Sequence, residues 1–335
     1  MKIFIPFARK DIGGTSIFAT KFKVGMEKLG HEVFFEYRED YDILFLIVQA
    51  PFRYLFDAKR RGKKIVQRLD GTYYWSVASW KFPLYNLKAA LIRHLFTDLT
   101  IYQSRYSKYC AEKFLGRKNL DLSAIIYNGV DTHNFSPKGE ILSLRSHPKQ
   151  KVFFTASDFR RRDQIIPILE ALIHYQKTYG DDFVFLVAGT FSREARTVPE
   201  EWAHFKNVSF LGKIPNSDLP KYERGADAFL ITHLNPPCPN NVLEALACGL
   251  PICGVADGAM PELVDSGETG FLIQTEGDAF WQPRVIDPKA FSDALHKTLA
   301  SPDYREKSRT RALNRFSIDH MIDEYQSVIT NTPSL

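Results

Sequence analysis

The stretch "NPPCPNNVLEALACGLP", residues 235–251, places three prolines, a cysteine and three asparagines directly before a helix-forming sequence. Proline fixes φ and removes a backbone donor, so we expect a stiff loop before Asn240. Asn240 or Asn241 is a suitable N-cap, and Gly249 followed by Pro251 predicts the helix end. Such a helix start carries about half a positive charge and suits anions or sugar hydroxyls, unless the stretch is only a well-capped helix after a loop.

Length and composition indicate a globular protein of two domains. The chain has 335 residues, of which 44% are hydrophobic and 25% charged, which is typical of soluble proteins of more than one core. No apolar run approaches the ~20 residues of a membrane-spanning helix, and the first apolar run is too short for a secretory signal. The four cysteines form no CxxC pair, so we expect reduced, mostly buried thiols, no zinc site and a cytoplasmic location.

The charge is unevenly distributed along the chain. Residues 1–136 hold 22 Lys and Arg against 13 Asp and Glu, a net +9, whereas the remainder holds 22 against 26, a net −4. The basic half, which includes the run "KRRGKK" at 59–64, favours an anionic partner such as the inner face of a membrane. A solvated basic face without any partner explains the imbalance equally well.

Strand and helix patterns alternate in both halves of the chain. Apolar strand-like runs in the first half are "KIFIPF", "HEVFFEY", "YDILFLIV", "KKIVQRLDG", "DLTIYQS" and "SAIIYNGV". The runs in the second half are "KVFFTAS", "FVFLVAGT", "NVSFLG", "ADAFLIT", "PICGVA" and "GFLI". Helical faces are predicted by the spacing of Phe18, Phe22, Met26 and Leu29 and of Phe316, Met321, Tyr325 and Val328. Alternation of this kind predicts parallel, doubly wound sheets.

The apolar periodicity lapses once, in "FSPKGEILSLRSHPKQ", where Pro, Ser, Lys and Gly accumulate. We therefore predict an α/β protein with two Rossmann-like domains, at 1–136 and 151–315, joined by a linker at 137–150 and followed by a C-terminal helix in 316–335. Two such halves predict a ligand cleft at the carboxyl ends of their strands.

Four segments in order along the chain resemble the retaining glycosyltransferases of family 4, which have the GT-B fold. The segments are "GGTSIFATKFKVGMEKLGHEV", "IYNGVDTHNFSP", "LEALACGLPICGVADGAMPELVDSGETGFLI" and "FSIDHMIDEY". The resemblance implies two domains facing across a cleft and a C-terminal helix that crosses back to the first domain. It implies transfer of a sugar from a nucleotide diphosphate sugar, UDP- or GDP-linked, to an acceptor hydroxyl, without a metal or cofactor.

The resemblance also implies a donor site, which we expect at two loop-to-helix junctions across the cleft. Its residues would be Gly13, Gly14 and Thr15 beside the diphosphate, Cys238, Pro239, Asn240, Asn241 and Val242 at the second helix start, and Glu244. Glycines allow close backbone approach, and helix starts favour phosphate. Glu244 would accept hydrogen bonds from the ribose hydroxyls, unless it lies on the exposed face of its helix.

Three positions depart from the family pattern. Pro236 stands where the family usually has an acid that contacts the transferred sugar. The two positions that usually hold Arg and Lys fall on Asp158 and Asp163, so Arg160, Arg161 and Arg162 between them would supply the charge for the diphosphate, with Lys213 as the substitute. A solvated charged turn is the alternative. Where many members have a histidine, this chain has "QRLDG".

At that third position Asp70 is the candidate catalytic residue and Arg68 the next polar candidate. A structural role for Asp70 in the turn with Gly71 is equally consistent with the sequence. The aromatic stretch "TYYWSVASWKFPLYNLKAALIRHLF" predicts an acceptor pocket, a membrane-surface contact or ordinary packing, and we favour the acceptor pocket.

The sequence thus predicts a retaining glycosyltransferase in polysaccharide or glycoconjugate assembly. Its acceptor would be a saccharide, a lipid-linked molecule or another hydroxyl compound. The alternative is a non-catalytic GT-B protein that binds a nucleotide sugar or a partner enzyme. Nucleic acid is not expected as a partner, because the basic and aromatic run "YQSRYSKYC" also fits an amphipathic helix.

Overall fold

The structure is a computed structural model that describes residues 1–6, 14–118, 122–282 and 284–332. The chain divides into two compact units, the first comprising Met1–Gly129 with Ile318–Leu335 and the second Val130–Ser317. Residues 137–150, expected to be a linker, are part of the second unit. None of the described helices is both long enough and apolar enough to cross a membrane.

The first unit is built on a parallel sheet of six strands. The strands are β1 (Lys2–Phe4), β2 (Glu32–Phe34), β3 (Ile43–Ile47), β4 (Lys64–Leu69), β5 (Leu99–Tyr102) and β6 (Ser123–Ile125). They lie in the order β2–β1–β3–β4–β5–β6. Its helices are α1 (Gly14–Lys28), α2 (Phe52–Arg60), α3 (Trp75–Ala78), α4 (Phe82–Leu95) and α5 (Arg105–Leu115). Every residue of β3 is buried, as its apolar run predicts for a strand covered on both faces.

The second unit has a parallel six-stranded sheet of its own. Its strands are β7 (Lys151–Phe159), β8 (Phe183–Phe191), β9 (Val208–Gly212), β10 (Ala228–Ile231), β11 (Ile252–Val255) and β12 (Gly270–Ile273). They lie in the order β12–β11–β10–β7–β8–β9. Its helices are α6 (Ile166–Tyr179), α7 (Val198–Glu201), α8 (Leu219–Gly225), α9 (Asn240–Ala247), α10 (Met260–Leu263), α11 (Pro288–Thr298) and α12 (Asp303–Phe316).

The last helix, α13 (Ile318–Asn331), returns to the first unit and packs on α1, as expected for the C-terminal helix. The ring of Tyr325 lies 5.2 Å from that of Phe22, measured between centroids. The predicted inner face of α1 is confirmed for Phe18, Phe22 and Met26. Leu29 is 39% exposed instead, because the helix ends one residue before it.

Each sheet contains one point where the strand order reverses. In the second sheet β7 pairs with β8 on one side and with β10 on the other, so the reversal lies between β7 and β10. In the first sheet it lies between β1 and β3. Open parallel sheets bind ligands outside the carboxyl ends of the strands at such reversals. A ligand site in the second unit is therefore expected at the segments that directly follow β7 and β10.

Candidate functional site

Two turns meet at the reversal of the second sheet. We name residues 160–165 the β7 turn and residues 232–239 the β10 turn. The Thr232 hydroxyl of the β10 turn donates to the Asp163 carbonyl of the β7 turn at 3.2 Å. The Asn241 amide at the start of α9 donates to the Ala156 carbonyl of β7 at 2.9 Å. These bonds join the two turns and the start of α9 into one surface.

The β10 turn is held in a single conformation by its neighbours. Asn235 has a φ of 55°, and its N–H donates to the Asp257 carboxylate at 2.7 Å. The Pro236 carbonyl accepts from the Ala259 N–H at 2.8 Å. Gly258 has a φ of 60°, and a Cβ there would lie 2.5 Å from the backbone N and O of Pro236. Only glycine fits such a close approach of two backbones. The loop that the prolines are predicted to stiffen is therefore also held by contacts with residues 257–259.

The N-cap of helix α9 lies one residue before the first of its two expected positions. Pro239 occupies the N-cap position, where either Asn240 or Asn241 was predicted, and it has no side-chain group that caps the helix. The Asn241 side chain accepts from the Val242 N–H at 3.0 Å and donates across to β7. The α9 start therefore keeps the partial positive charge of a helix N-terminus without a carboxylate cap.

The predicted contact residues on α9 differ in what they can offer a ligand. The side chains of Cys238 and Val242 are buried, at 5% and 0% exposure, so only their backbone groups can reach a ligand. Pro239, Asn240 and Asn241 are partly exposed. The polar groups that the α9 start offers a ligand are thus the side chains of Asn240 and Asn241 and the backbone groups.

Glu244 is partly exposed, whereas its neighbours along α9 are buried. A second carboxylate lies near it: Glu223 of α8 is 1% exposed and is charge-coupled to Glu244. Burial, and then the negative charge of Glu244, raise the pKa of Glu223 to about 8. At neutral pH Glu223 is therefore mostly protonated. The sequence did not reveal Glu223, since nothing in "YERG" distinguishes it from a surface residue.

All three arginines of the β7 turn have acidic partners. Arg160 lies 2.8 Å from the Asp158 carboxylate, Arg161 pairs with Asp163, and Arg162 lies 2.6 Å from Glu201. Asp158 and Asp163, at the positions where the resemblance implies Arg and Lys, each pair with one of the arginines. The expected cations are therefore present but neutralised.

The two outer arginines point toward β8 and its following segment. Asp158 also accepts from Thr190 of β8, and Arg162 lowers the pKa of Glu201, the last residue of α7, to about 2. Arg161 is instead tied to Asp163, whose carbonyl accepts from Thr232 of the β10 turn. Arg161 is thus the arginine on the side of the reversal.

Two further polar groups border the site. Lys213 follows β9, is exposed, and makes no ion pair or hydrogen bond within the part of the chain that the structure describes. His233, which the sequence analysis missed, follows β10 and lies 3.3 Å from the Ser157 hydroxyl of β7. Burial lowers the pKa of His233 to about 4, so the imidazole is neutral at physiological pH. A polar residue directly after a predicted strand was the one sequence signal for it.

In the first unit, only part of the expected glycine loop can be described. Gly13 lies outside the described residues. Gly14 and Thr15 form the start of α1, the first helix after β1 in the chain. Gly14 is exposed and Thr15 partly exposed, so both are accessible to a ligand.

Asp70 lies just beyond β4 and forms an ion pair with Arg68. The Arg68 side chain is 2% exposed and also donates to the Asn128 amide oxygen at 2.8 Å. Its guanidinium lies 3.6 Å from the centroid of the Phe18 ring. Asp70 itself remains 24% exposed, so a buried and stacked arginine orients a carboxylate that is still accessible.

Metal-binding residues are not clustered in the described ranges. Among those residues, no group of three or more His, Cys, Asp and Glu side chains could hold a metal ion. The four cysteines are buried and unbridged, as expected.

Comparison with known proteins finds a family model that is similar to most of the second unit. Residues 149–301 match the family model described as "Glycosyl transferases group 1". A D-inositol 3-phosphate glycosyltransferase of Corynebacterium kroppenstedtii is 24% identical over 223 residues, which are 62% of this chain and 49% of the relative. Matches to three relatives of this name cover about half of their length or less.

Solved structures show the fold of the whole chain. Sucrose-phosphate synthase from Thermosynechococcus elongatus superposes with a TM-score of 0.76 at 16% identity, covering 98% of both chains. The Anabaena protein HepE, in complex with UDP and glucose, superposes with a TM-score of 0.71 at 15% identity, covering 98% of this chain and 99% of its own. The fold is GT-B, as the resemblance predicted.

Proposed function

We propose that this protein is a retaining, metal-independent glycosyltransferase that moves a sugar from a nucleotide diphosphate sugar to an acceptor hydroxyl. One observation carries the proposal. Residues that match a glycosyltransferase family model place the β7 turn, the β10 turn and the α9 start together at the reversal of their sheet. A site of this kind combines phosphate-binding backbone with fixed polar side chains, as nucleotide transfer chemistry requires.

The reaction would need positive charge where the diphosphate departs. The α9 start supplies a fixed dipole, and Arg161 supplies a guanidinium once a phosphate competes with Asp163 for it. A preorganised donor is worth more to the transition state than a mobile one, because it needs no reorganisation as charge develops. Neutral His233, fixed by Ser157, adds a polar group that does not depend on pH near neutrality.

Nucleotide recognition in this proposal depends on Glu244. Its carboxylate would accept from two ribose hydroxyls, while protonated Glu223 keeps the local charge to a single negative unit. We expect UDP- or GDP-linked sugars as donors. The solved HepE complex contains UDP and glucose, which supports the first of these.

For the remaining roles, Asp70 is the catalytic candidate in the first unit, with Gly14 and Thr15 as diphosphate contacts. The acceptor would be a saccharide, a lipid-linked molecule or another hydroxyl compound, used in polysaccharide or glycoconjugate assembly in the cytoplasm. One curated relative, a putative glycosyltransferase EpsD of Bacillus subtilis, is 23% identical over 81% of this chain, which supports a glycosyl transfer role.

Two observations favour a second candidate, a non-catalytic protein that binds a nucleotide sugar. Pro236 cannot replace the acid that usually contacts the transferred sugar, and each arginine of the β7 turn is already paired. In that case the nucleotide would bind without turnover.

A thermal-shift screen with UDP-, GDP-, ADP- and dTDP-sugars separates these functions from an unrelated one. A ligand at a hundred times its Kd should add ~2.7 kcal/mol to the free energy of unfolding. Hydrolysis of the stabilising donor, followed by transfer to saccharide and lipid-linked acceptors, then identifies the enzyme. Stabilisation without hydrolysis or transfer would support the binding protein, and no stabilisation by any of the donors would contradict both.

The proline at position 236 provides a second test, which concerns recognition of the transferred sugar. Since a hydrogen bond to a charged group is worth roughly 1.5–3 kcal/mol, loss of the acid should relax discrimination among sugars by about one or two orders of magnitude. We expect calorimetry to detect the bare nucleotide diphosphate and only a modest gain when the sugar is attached. A gain of several kcal/mol would mean that another residue replaces the acid.

A further inference from the structure

Helix α4 of the first unit presents a row of leucines to solvent. Leu84, Leu87, Leu91 and Leu95 follow one another at spacings of three, four and four, which places them on one face. Their exposed fractions are 64%, 52%, 39% and 66%. We name these four side chains the leucine face. Scattered exposed leucines need no explanation, but a continuous row on one helix indicates a contact surface.

The opposite face of α4 is held to the protein by polar bonds and small residues. Asn86 is buried, and its amide exchanges bonds with the backbone of Tyr73 at 2.9 and 2.8 Å. Buried Arg93 donates to the Tyr102 hydroxyl at 3.0 Å and to the Gly116 carbonyl at 2.6 Å. These directional bonds fix the rotation of the helix. The leucine face therefore cannot turn inward without breaking them.

Exposed aromatic side chains lie in the segment before α4 and on the helix α2. Trp80, directly before α4, is 64% exposed, and Trp75 of α3 is 45% exposed. Phe56 of α2 is 62% exposed, and its ring packs edge-on against Phe96, just after α4, at 5.1 Å. Tryptophan with one wet side is typical of residues at a membrane interface.

The segment that carries the leucine face contains basic but no acidic residues. Residues 72–97 contain three Lys and Arg and no Asp or Glu. Arg93 of these is buried, so Lys81 and Lys88 are the cations beside the face. The Lys88 ammonium lies 5.8 Å from the ring of Phe52 on α2, which keeps it at the edge of the apolar surface.

The basic run at 59–64, which the sequence analysis offered as the anionic-surface contact, is mostly committed within the first unit. Lys59 lies 2.6 Å from Asp98, and Arg61 pairs with Asp57 at 2.7 Å. Lys64 is 7% exposed and donates to the Ile329 and Thr332 carbonyls of the C-terminal segment. The surface available to a partner is therefore centred on α4 and not on this run.

We propose that the leucine face, with Trp75 and Trp80, inserts into the surface of an anionic lipid bilayer, and that Lys81 and Lys88 contact the lipid headgroups. An apolar helix face bordered by tryptophan and lysine, lying in the plane of the interface, has the composition of such a contact. A second copy of the chain fits less well, because a two-fold contact through this face would bring four lysines together without an acid from the same segment. This inference goes beyond the proposed function and does not depend on it.

Sedimentation of the full chain with lipid vesicles tests the proposal. We expect binding to vesicles that contain phosphatidylglycerol, weaker binding to pure phosphatidylcholine, and partial loss at high salt, since screening removes only the headgroup contribution. Leu84→Gln combined with Leu95→Gln should reduce binding at least tenfold at either salt concentration. Leu313→Gln, at a 43% exposed leucine of α12, is the matched control and should bind like the wild type.

A second pair of variants isolates the charge. Lys81→Gln with Lys88→Gln should lower affinity for anionic vesicles roughly fivefold per lysine and leave binding to neutral vesicles unchanged. Lys149→Gln, at an exposed lysine of the second unit, is the control. Absence of binding to anionic vesicles, or equal binding by the double leucine variant, would overturn the proposal. Conversion of a dimer to a monomer by the leucine variant, without vesicles, would assign the face to a second copy instead.

Discussion

The two turns at the reversal of the second sheet differ in how their polar groups are used. In the β10 turn, fixed contacts from Asp257, Gly258 and Ala259 determine the backbone, and the α9 start is left without a carboxylate cap. In the β7 turn, charged side chains dominate, but each arginine already has an acid beside it. The β10 turn thus leads into a helix start whose dipole is available to a ligand. In the β7 turn an arginine becomes available to a ligand only when the ligand replaces its acidic partner.

Under the proposed function, this difference predicts separate roles for the two turns. A preset backbone with Glu244 at hand suits recognition of the nucleotide in the ground state. An arginine that must leave its acid contributes most as negative charge develops on the departing diphosphate, that is, more in the transition state than in the ground state. We therefore expect changes near the β10 turn to affect folding and affinity and changes in the β7 turn to affect turnover.

Gly258→Ala should have the largest effect, on stability. The left-handed φ costs a residue with a Cβ about 1–2 kcal/mol, and overpacking against the Pro236 backbone costs about 1–3 kcal/mol more. We expect a loss of about 2–5 kcal/mol, measured by urea unfolding. Gly212→Ala is the matched control, because Gly212 has a φ of 68° but no atom within 4 Å of its Cβ position. Equal losses in the two variants would mean that Gly258 does not lock the turn.

Arg161→Ala should have the next largest effect, on turnover. Loss of one donor to the developing charge costs about 2–4 kcal/mol of transition-state stabilisation. We expect Arg160→Ala and Arg162→Ala to be milder, since their acids lie on the β8 side. Steady-state kinetics with the donor identified by thermal shift provide the measurement, and exposed Arg196→Ala is the control. If all three single variants turn over like the wild type, the charge comes from elsewhere, with Lys213 the first residue to replace.

Glu244→Ala should weaken binding of the bare nucleotide diphosphate, because the ribose hydroxyls lose a charged acceptor worth roughly 1.5–3 kcal/mol. The expected change in Kd is about ten- to a hundredfold by calorimetric titration. Glu244→Gln should lose less, since the amide oxygen still accepts. Exposed Glu170→Ala on α6 is the control for removing a carboxylate elsewhere. Unchanged nucleotide affinity in Glu244→Ala would place the ribose away from α9.

The fold could be predicted from the sequence because its signals are local and repeated. The apolar run of β3 and the spacing of Phe18, Phe22 and Met26 each report burial directly, and the order of strands and helices determines the parallel sheets. The proline-rich stretch likewise indicated a preset turn. These inferences depend only on residues that are close together in the sequence.

The charge state of the site could not be fully predicted: Arg160 and Arg161 pair with acids two residues away, but other contacts join residues distant in sequence. Arg162 is paired with an acid 39 positions away, and His233 with a serine 76 positions away. The exposure of the leucine face could not be predicted for a different reason. Its spacing is that of a core face, yet the polar anchors Asn86 and Arg93 turn it outward.

The smallest expected effect concerns the carboxylate pair formed by Glu223 of α8 and Glu244 of α9. Glu223 faces Glu244 and Cys248 of α9 and has Arg224 beside it, and its pKa is about 8 in the folded chain against about 4.3 for a free glutamate. Between these values the folded state holds a proton that the unfolded state releases. Stability should therefore fall as pH rises toward 8, on the order of 1 kcal/mol per pH unit.

Urea unfolding between pH 6.5 and 8 isolates this contribution. His233 acts in the opposite sense, because its lowered pKa makes the unfolded state bind more protons, but only between about pH 4 and its ordinary pKa near 6.5. We expect Glu223→Gln to flatten the slope within the chosen window, whereas exposed Glu200→Gln should keep it. The same variant leaves the charge of Glu244 in place, so nucleotide affinity near neutral pH should hardly change. A slope that survives in Glu223→Gln would mean that another group titrates there. A large loss of nucleotide affinity would mean that Glu223 positions Glu244 by direct contact, in addition to remaining uncharged itself.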